Sequence, residues 1–256
     1  MSNKIEIITT CVGRSSFLRE TLQHNKSKVD NVIVVTSPTD YETHRICNGE
    51  GAVCVQTDLF YKYNAPFDKG RALNEGVKKL QHNEWVLLTD CDILLLPAHK
   101  NFLRDPKLNK ELMFGCRRII LETRSKYLSF IKKIAFNPQE VDVNKLINDD
   151  PKEIGVGFFQ LFNISSNRAQ EILNEELNHD DQSYHGLVQP LVNDLNYPWC
   201  YKNKRDLHPY FPTAGGSDSQ FRHFYADKNL VAVSPIPVIH LGSIGRGHGG
   251  AERNFE

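Results

Sequence analysis

Hydrophobic and polar residues follow two alternating periods along the first ninety positions of the chain. Three stretches carry apolar residues at helical spacing and predict helices: 14–26, 41–48 and 69–81. Four short β-branched or apolar runs predict strands: 4–10, 32–36, 52–55 and 85–89. We expect Ser15 or Ser16 to cap the first helix and Asp40 the second. The order β-α-β-α-β-α-β predicts an α/β fold with a mostly parallel sheet and right-handed crossovers.

The second half of the chain has a less regular pattern. Apolar runs predict further strands: 113–116 and 117–121 (as one strand or two), 157–163, 230–233 and 238–241. Helices are predicted over 166–177 and 217–225. We expect the polar stretch 124–153 to be a mobile or acceptor-facing insert, and the glycine-rich tail 242–256 to be a flexible loop.

Composition narrows the classes of function. Lys and Arg together number 31, and so do Asp and Glu, so the chain lacks the basic surplus on which non-specific nucleic-acid binding depends. No run of apolar residues is long enough to span a membrane, and no secretory signal is recognisable at the start. The six cysteines form no CxxC pair, which argues against a zinc site. We therefore expect a cytoplasmic protein with reduced thiols.

Asp90 and Asp92 directly follow the fourth predicted strand. Ligands of open α/β sheets bind beyond the carboxyl ends of the strands. Two carboxylates at that edge can hold Mn²⁺ or Mg²⁺, which usually takes one or two protein carboxylates together with substrate phosphates. The alternative interpretation is a turn with a helix cap, and the position at a strand end favours the metal site.

Lys69 and Arg71 lie at the predicted start of a helix, where free N–H groups already attract anions. They are candidates for contacts with a diphosphate and a ribose. The alternative is a solvated helix end with Asp68 as the cap and both cations exposed. The sequence leaves the two interpretations equally open.

Two further segments carry candidate chemistry. Gly215 and Gly216 would let the backbone turn sharply beside a ligand, and Asp218 follows as a candidate general base. Alternatively, Ser217 or Asp218 is simply an N-cap. His240, at the end of the last predicted strand, is a metal ligand only if the two aspartates hold a metal, and otherwise a core histidine.

These segments, in this order, resemble the nucleotide-sugar glycosyltransferases of the GT-A fold. The likeness is strongest to family-2-like enzymes and to galactosyl- and N-acetylgalactosaminyltransferase relatives. Five matches spread over nearly the whole chain carry it: 9–14, 67–74, 90–92, 215–218 and 238–242. The resemblance implies one GT-A-type, Rossmann-like domain, with a nucleotide-sugar-binding half over 1–95 and a mixed acceptor-binding half over 96–256.

The resemblance also implies roles for individual residues. Asp92 would bind the metal, Asp90 would contact ribose or metal, and His240 would complete the metal shell. Asp218 would be the catalytic base beside an acceptor held by the Gly215–Gly216 segment. Thr9, Arg14 and the turn 37–40, including Asp40, would hold the nucleobase, and Arg246 would contact phosphate.

Two departures from the family's pattern affect these roles. Ser217 stands where the family often has Glu, which leaves the contact to the acceptor open. The paired acidic turn after the second strand is absent, so uridine is an expectation from the family alone.

The implied reaction moves a sugar from a nucleoside-diphosphate sugar to a hydroxyl, with inversion favoured over retention. A glycan is the favoured acceptor. A modified nucleic-acid base is the less favoured one, suggested by the basic stretch 117–133. Two rival classes stay open. A nucleotidyltransferase should carry more glycines after its first strand than Gly13 alone, and a non-catalytic nucleotide-sugar-binding module should have lost the candidate acidic residues.

Overall fold

The computed structural model describes residues 2–65, 67–136, 146–147, 158–174, 177–178, 201–202, 204–208 and 214–242. Its strands are β1 (Ile5–Thr10), β2 (Asn31–Thr36), β3 (Val53–Gln56), β4 (Trp85–Asp90), β5 (Ile93–Leu94), β6 (Met113–Gly115), β7 (Arg118–Leu121), β8 (Phe159–Asn163), β9 (Leu177–Asn178), β10 (Tyr201–Lys202), β11 (Val231–Val233) and β12 (Val238–Leu241). Its α-helices are α1 (Ser15–Lys26), α2 (Tyr41–Glu50), α3 (Lys69–Val77), α4 (His99–Leu103), α5 (Arg124–Phe136), α6 (Asn167–Asn174) and α7 (Ala214–Ala226). A 3₁₀ helix spans Leu59–Asn64.

Seven strands form the main sheet, in the order β11-β6-β8-β4-β1-β2-β3. Only β8 runs antiparallel to its neighbours β4 and β6. The prediction of a mostly parallel α/β sheet is therefore confirmed. Strands β1 and β4 pair with Thr10 opposite Asp90, so their carboxyl ends lie side by side at one edge of the sheet.

Both faces of the main sheet are covered, which explains why its central strands are apolar at nearly every position. On one face, Ile5 and Ile7 of β1 pack in a cluster with apolar residues of α1 and α2. On the other face, Ile8 packs in a cluster with residues of α3, α6 and α7. Helix α3 lies close to the sheet, because a Cβ added to Gly76 would come within 2.6 Å of the Ile8 methyl.

A second, smaller sheet joins β5, β12 and β7 in that order. Strand β12 runs antiparallel to β5 and parallel to β7, with His240 opposite Ile93. Because β5 follows β4 after a two-residue turn, this sheet brings the end of β12 to the turn that carries Asp92. The separate strands β6 and β7 show that the predicted run 113–121 forms two strands.

The structure tests three predictions about where helices begin. Neither Ser15 nor Ser16 caps α1, because Ser15 is already helical and Arg14 takes the cap position without a side-chain bond. Asp40 does cap α2 by accepting a bond from the Thr43 N–H. The predicted turn at Gly215–Gly216 is wrong, since both glycines lie within the first turn of α7.

The other two regions singled out from the sequence are only partly described. In the predicted insert 124–153, the described part begins with α5, and residues 137–145 and 148–153 lie outside the described residues. The tail 243–256, including Arg246, lies outside them as well. Among the helices that are described, none is long and apolar enough to cross a membrane.

Candidate active site

The turn between β4 and β5, which follows Asp90 and carries Asp92, is held by helix α1. The Thr21 hydroxyl donates a hydrogen bond to the Cys91 carbonyl at 2.7 Å. The Asn25 amide donates to the Ile93 carbonyl at 2.8 Å and accepts from the Leu95 N–H at 2.9 Å. Because these side chains are buried, the turn is fixed to the helix by bonds shielded from water. The alternative of a helix cap is wrong here, since Asp90 ends β4 and Asp92 lies in the turn before β5.

Asp92 is buried and faces a guanidinium and an imidazole that do not reach hydrogen-bonding distance. Its Oδ2 lies 3.6 Å from Nη1 of Arg14 and 3.8 Å from Nε2 of His240. Its Oδ1 has no hydrogen-bond partner among the described residues. Burial raises the pKa of Asp92, and the charge of Asp90 adds to that, while His240 and Arg14 oppose it. The carboxylate is thus incompletely compensated.

These features fit a divalent cation beside Asp92. An uncompensated buried carboxylate oxygen and a nearby imidazole are ligands that such an ion accepts. Buried Nδ1 of His240 also has no hydrogen-bond partner in the described part of the chain. No group of three or more His, Cys, Asp or Glu side chains among the described residues is already arranged around a metal position. The remaining ligands would therefore come from Asp90, from substrate phosphate or from water.

Lys69 connects Asp90 to Asp218. The Lys69 Nζ donates to Oδ1 of Asp90 at 2.7 Å and to Oδ2 of Asp218 at 2.8 Å. The lysine side chain is only 5% exposed, so the alternative in which Lys69 is an exposed cation at this helix start is wrong. The two carboxylates raise its pKa against the opposing effect of burial, and it stays charged. The lysine thereby joins the end of β4 to helix α7.

Asp218 lies in the second turn of α7, so neither it nor Ser217 caps that helix. The Gln160 side chain of β8 donates to its main-chain carbonyl at 3.0 Å. Burial raises the pKa of Asp218 to about 7, and Lys69 opposes this rise. A carboxylate with a pKa near neutrality is suited to act as a general base at physiological pH.

The remaining residues of the 67–74 segment bond within the protein. Asp68 caps α3 by accepting from the Arg71 N–H at 3.0 Å, and it also pairs with the Arg71 Nε at 2.8 Å. The Asn74 Oδ1 accepts from the N–H groups of Leu207 and His208, and its amide donates to the His208 carbonyl. A diphosphate contact by Lys69 or Arg71 stays a prediction, and the contacts described here are internal.

The turns that follow β1 and β2 are tied together by Asp40. Its Oδ2 accepts from the Gly13 N–H at 2.9 Å and from the Thr43 hydroxyl at 2.9 Å. Gly13 has a positive φ of 63°, a conformation that glycine adopts without strain. The half-exposed Tyr61 lies near this junction: burial raises the pKa of its phenol and the charge of Asp40 adds to the rise.

The contacts expected between a nucleobase and Thr9, Arg14 and Asp40 stay predictions. Thr9 is buried within β1, opposite Thr89 of β4, and lines a small internal cavity. Arg14 faces Asp92, as described above. Asp40 lies at the ends of β1 and β2, where the nucleobase is expected.

The basic stretch 117–133 is partly neutralised by the protein itself. Arg124 pairs with Glu20 at 2.9 Å, and Lys126 pairs with Glu122 at 2.6 Å. The Arg118 guanidinium lies over the Phe158 ring at 4.7 Å. These contacts weaken the case for a nucleic-acid acceptor on this surface.

Solved structures provide the comparison for this arrangement. Two structures of glucosyl-3-phosphoglycerate synthase from Mycobacterium tuberculosis are similar to this chain over 96% of its length and 73% of theirs. One contains Mn²⁺, uridine diphosphate and glucosyl-3-phosphoglycerate, and aligns with a TM-score of 0.50 at 11% identity. The other aligns with a TM-score of 0.51 at 12% identity. The chain has the GT-A fold. No family model and no curated protein sequence matches it.

Within this GT-A fold, a continuous series of contacts runs along the carboxyl edge of the sheet. It leads from His240 to Asp92, through the β4–β5 turn to Asp90, and through Lys69 to Asp218. The predicted metal ligands and the predicted base are thus brought together.

Sequence reasoning missed two residues of this edge. His208 lies beside Asp218, and Tyr61 lies near Asp40. Neither had a local signal, since His208 precedes a proline in an irregular stretch and Tyr61 belongs to a short 3₁₀ helix.

Proposed function

We propose that the chain is a metal-dependent glycosyltransferase that moves a sugar from a nucleoside-diphosphate sugar to an acceptor hydroxyl. The observation that carries this proposal is the pairing, on one sheet edge, of an uncompensated buried Asp92 with a lysine-bound Asp218. Asp92 is suited to bind a cation and Asp218 is suited to act as a base, and the reaction needs both functions. The GT-A fold supports the same class of reaction.

On the donor side, Asp92 and His240 would hold Mn²⁺ or Mg²⁺, and Asp90 would bind the metal or the ribose. A divalent ion there would neutralise the charge that develops on the leaving diphosphate. The nucleobase would lie near Asp40, where the half-exposed Tyr61 ring is available for stacking. A uridine donor is supported by the uridine diphosphate in the similar synthase structure.

On the acceptor side, Asp218 would take the proton of the attacking hydroxyl as its oxygen bonds to the anomeric carbon. The bond from that carbon to the diphosphate breaks, and the diphosphate carries away the electron pair. Attack from the face opposite the leaving group would invert the anomeric carbon. We propose a glycan or a small hydroxyl compound as the acceptor, and the similar synthase was solved with glucosyl-3-phosphoglycerate.

Thermal unfolding with a panel of nucleoside diphosphates and their sugars, with and without Mn²⁺, tests this function. A ligand at 100 times its Kd stabilises a protein by about 2.7 kcal/mol. That corresponds to a shift of roughly 5–11 °C for a chain of this size. We expect such a shift for one nucleotide, uridine diphosphate, and only with the metal. The absence of any shift across the panel would contradict the proposal.

A turnover assay completes the test. With UDP-glucose and Mn²⁺ we expect slow release of uridine diphosphate with water as acceptor, and faster release when a true acceptor is supplied. Chelation with EDTA should stop both. Release that continues unchanged in EDTA would exclude the metal-dependent mechanism.

A further inference from the structure

His208 is fully buried, and its position is fixed by helix α3. Both its main-chain N–H and its carbonyl bond to the Asn74 side chain, at 2.9 and 2.8 Å, and the Leu207 N–H bonds to the same amide at 3.0 Å. The imidazole stacks on the Phe221 ring of α7, with centroids 5.0 Å apart and planes 21° from parallel. These contacts leave the His208 ring little freedom to rotate.

The clamped ring faces the candidate base. Nε2 of His208 lies 3.8 Å from Oδ1 of Asp218, while Lys69 holds the other oxygen, Oδ2, at 2.8 Å. The two sides of the Asp218 carboxylate therefore face two different nitrogen groups. Helix α3 supplies Lys69 directly and fixes His208 through Asn74, so one helix sets both neighbours of the base.

A distance of 3.8 Å is beyond hydrogen-bonding range, and catalytic hydrogen bonds are often long before substrate binds. A carboxylate oxygen has two lone-pair directions, so a bond from each neighbour still leaves a site for an acceptor hydroxyl. Rotation of the Asp218 carboxylate would turn the remaining lone pair away from the acceptor hydroxyl. Displacements of about 1 Å in catalytic groups can cost ~10²-fold in rate.

From this geometry we propose that His208 is a positioning residue that fixes the carboxylate plane of Asp218 by donating from Nε2 to Oδ1 in the working complex. The inference rests on the proposed function, because Asp218 needs a fixed plane only if it serves as a base. The proposal gives His208 a role in the reaction in addition to its packing in the core.

Two substitutions separate positioning from packing. His208→Phe keeps an aromatic ring against Phe221 but removes the donor, whereas His208→Gln keeps a side-chain N–H and loses the ring stack. His99 provides the matched control, since it is equally buried and accepts a bond from the Leu96 N–H at 3.0 Å, in helix α4, which carries none of the candidate site residues. His99→Phe therefore reports the cost of replacing a buried histidine alone.

The kinetic readout is release of uridine diphosphate from UDP-glucose with Mn²⁺. We expect His208→Phe to lower kcat by ~10²-fold with little change in the KM for donor, and His208→Gln to recover much of that loss. His99→Phe should alter thermal stability without this fall in kcat. Wild-type kcat in a folded His208→Phe variant would overturn the positioning role, and so would an equal loss in the Phe and Gln variants.

A spectroscopic readout is independent of turnover. In ¹⁵N-histidine spectra of the whole protein, Asp218→Asn should shift the ring resonances of His208 and leave those of His99 in place. Unchanged His208 resonances would show that the two side chains do not interact, which contradicts the inference. If the wild-type protein releases no nucleotide from any donor while this shift is present, the proposed function fails and the contact stands.

Discussion

Asp92 and Asp218 are two buried carboxylates whose charges are compensated in opposite ways. Their side chains are almost equally hidden, at 7% and 8% exposed. Asp218 receives a direct hydrogen bond from a buried lysine, whereas Asp92 faces Arg14 and His240 across 3.6 and 3.8 Å. Burial raises the pKa of both, but only Asp92 keeps a buried oxygen with no partner among the described residues.

The difference indicates where an external ligand is needed. Desolvation of an ion costs several kcal/mol unless a partner compensates it. The protein supplies such a partner for Asp218, which is Lys69. It supplies no hydrogen-bonded partner for the buried oxygen of Asp92 among the described residues. We infer that Asp92 is completed by a bound cation and that Asp218 is tuned within the chain to exchange a proton.

The largest expected effect is on turnover. Asp218→Asn removes the base and should lower kcat by ~10²–10⁴-fold, the usual contribution of general base catalysis. Binding of uridine diphosphate with Mn²⁺ should be unchanged, because Asp218 lies outside the proposed metal shell. Single-turnover release of uridine diphosphate from UDP-glucose measures the first effect, and calorimetric titration measures the second. Full activity in this variant would remove Asp218 from the mechanism.

The second effect compares how much the cationic neighbour of each carboxylate contributes to the free energy of unfolding. Lys69→Met leaves Asp90 and Asp218 without their shared cation, and loss of one partner of a buried pair costs about 3–5 kcal/mol. Arg14→Met is the matched control, because a cation that is more exposed and lies farther from its carboxylate should contribute less to stability. Urea denaturation without metal measures both free energies of unfolding. Equal losses would contradict the contrast drawn between Asp92 and Asp218.

The third effect is a pH dependence of stability in the absence of metal. The folded protein holds a proton on Asp218 up to a pKa of about 7, whereas the unfolded chain releases it near its ordinary pKa of 3.8. This contribution to stability is therefore full below about pH 4 and is lost as the pH rises toward 7. The raised pKa of Asp92 acts in the same direction.

Urea midpoints across this pH range test the assignment. Asp218→Asn should flatten the decline, since an amide does not titrate. A decline of the same steepness in wild type and variant would show that Asp218 ionises normally in the folded state.

The smallest effect concerns the packing of α3, which carries Lys69. Gly76→Ala would place a methyl 2.6 Å from the Ile8 side chain, and such overpacking costs about 1–3 kcal/mol. Gly49→Ala in α2 meets no atom within 4 Å and should stabilise the helix by about 0.5–1 kcal/mol. Thermal unfolding of both variants provides the comparison. Stabilisation by Gly76→Ala would show that α3 is not held against the sheet as described.

Local patterns were sufficient to predict the β4 strand end and the start of α2. The strand that ends at Asp90, with Asp92 two residues later, could be predicted from one short apolar run, and Asp40 caps the helix that its turn chemistry predicted. The residues alone left His240 as a metal ligand only if the two aspartates hold a metal, and its approach to Asp92 depends on β12 joining β5.

The contacts around Asp218 could not be predicted from local sequence patterns. Lys69 and Asp218 are 149 positions apart, and Asn74 and His208 are 134 apart. No local rule says that a lysine at a helix start will be buried between carboxylates instead of facing solvent. The glycines at 215–216 suggested a turn, yet they begin α7, where helix packing outweighs their low propensity.

Calorimetric titration of uridine diphosphate in Mn²⁺ into wild type, Asp92→Asn and Asp218→Asn tests the central claim most directly. The account predicts that wild type and Asp218→Asn bind with similar affinity, that Asp92→Asn loses at least about tenfold, or about 1.4 kcal/mol, and that EDTA abolishes binding to all three. Equal affinity of Asp92→Asn and wild type, or binding that persists in EDTA, would contradict the assignment of Asp92 to a metal-bound nucleotide.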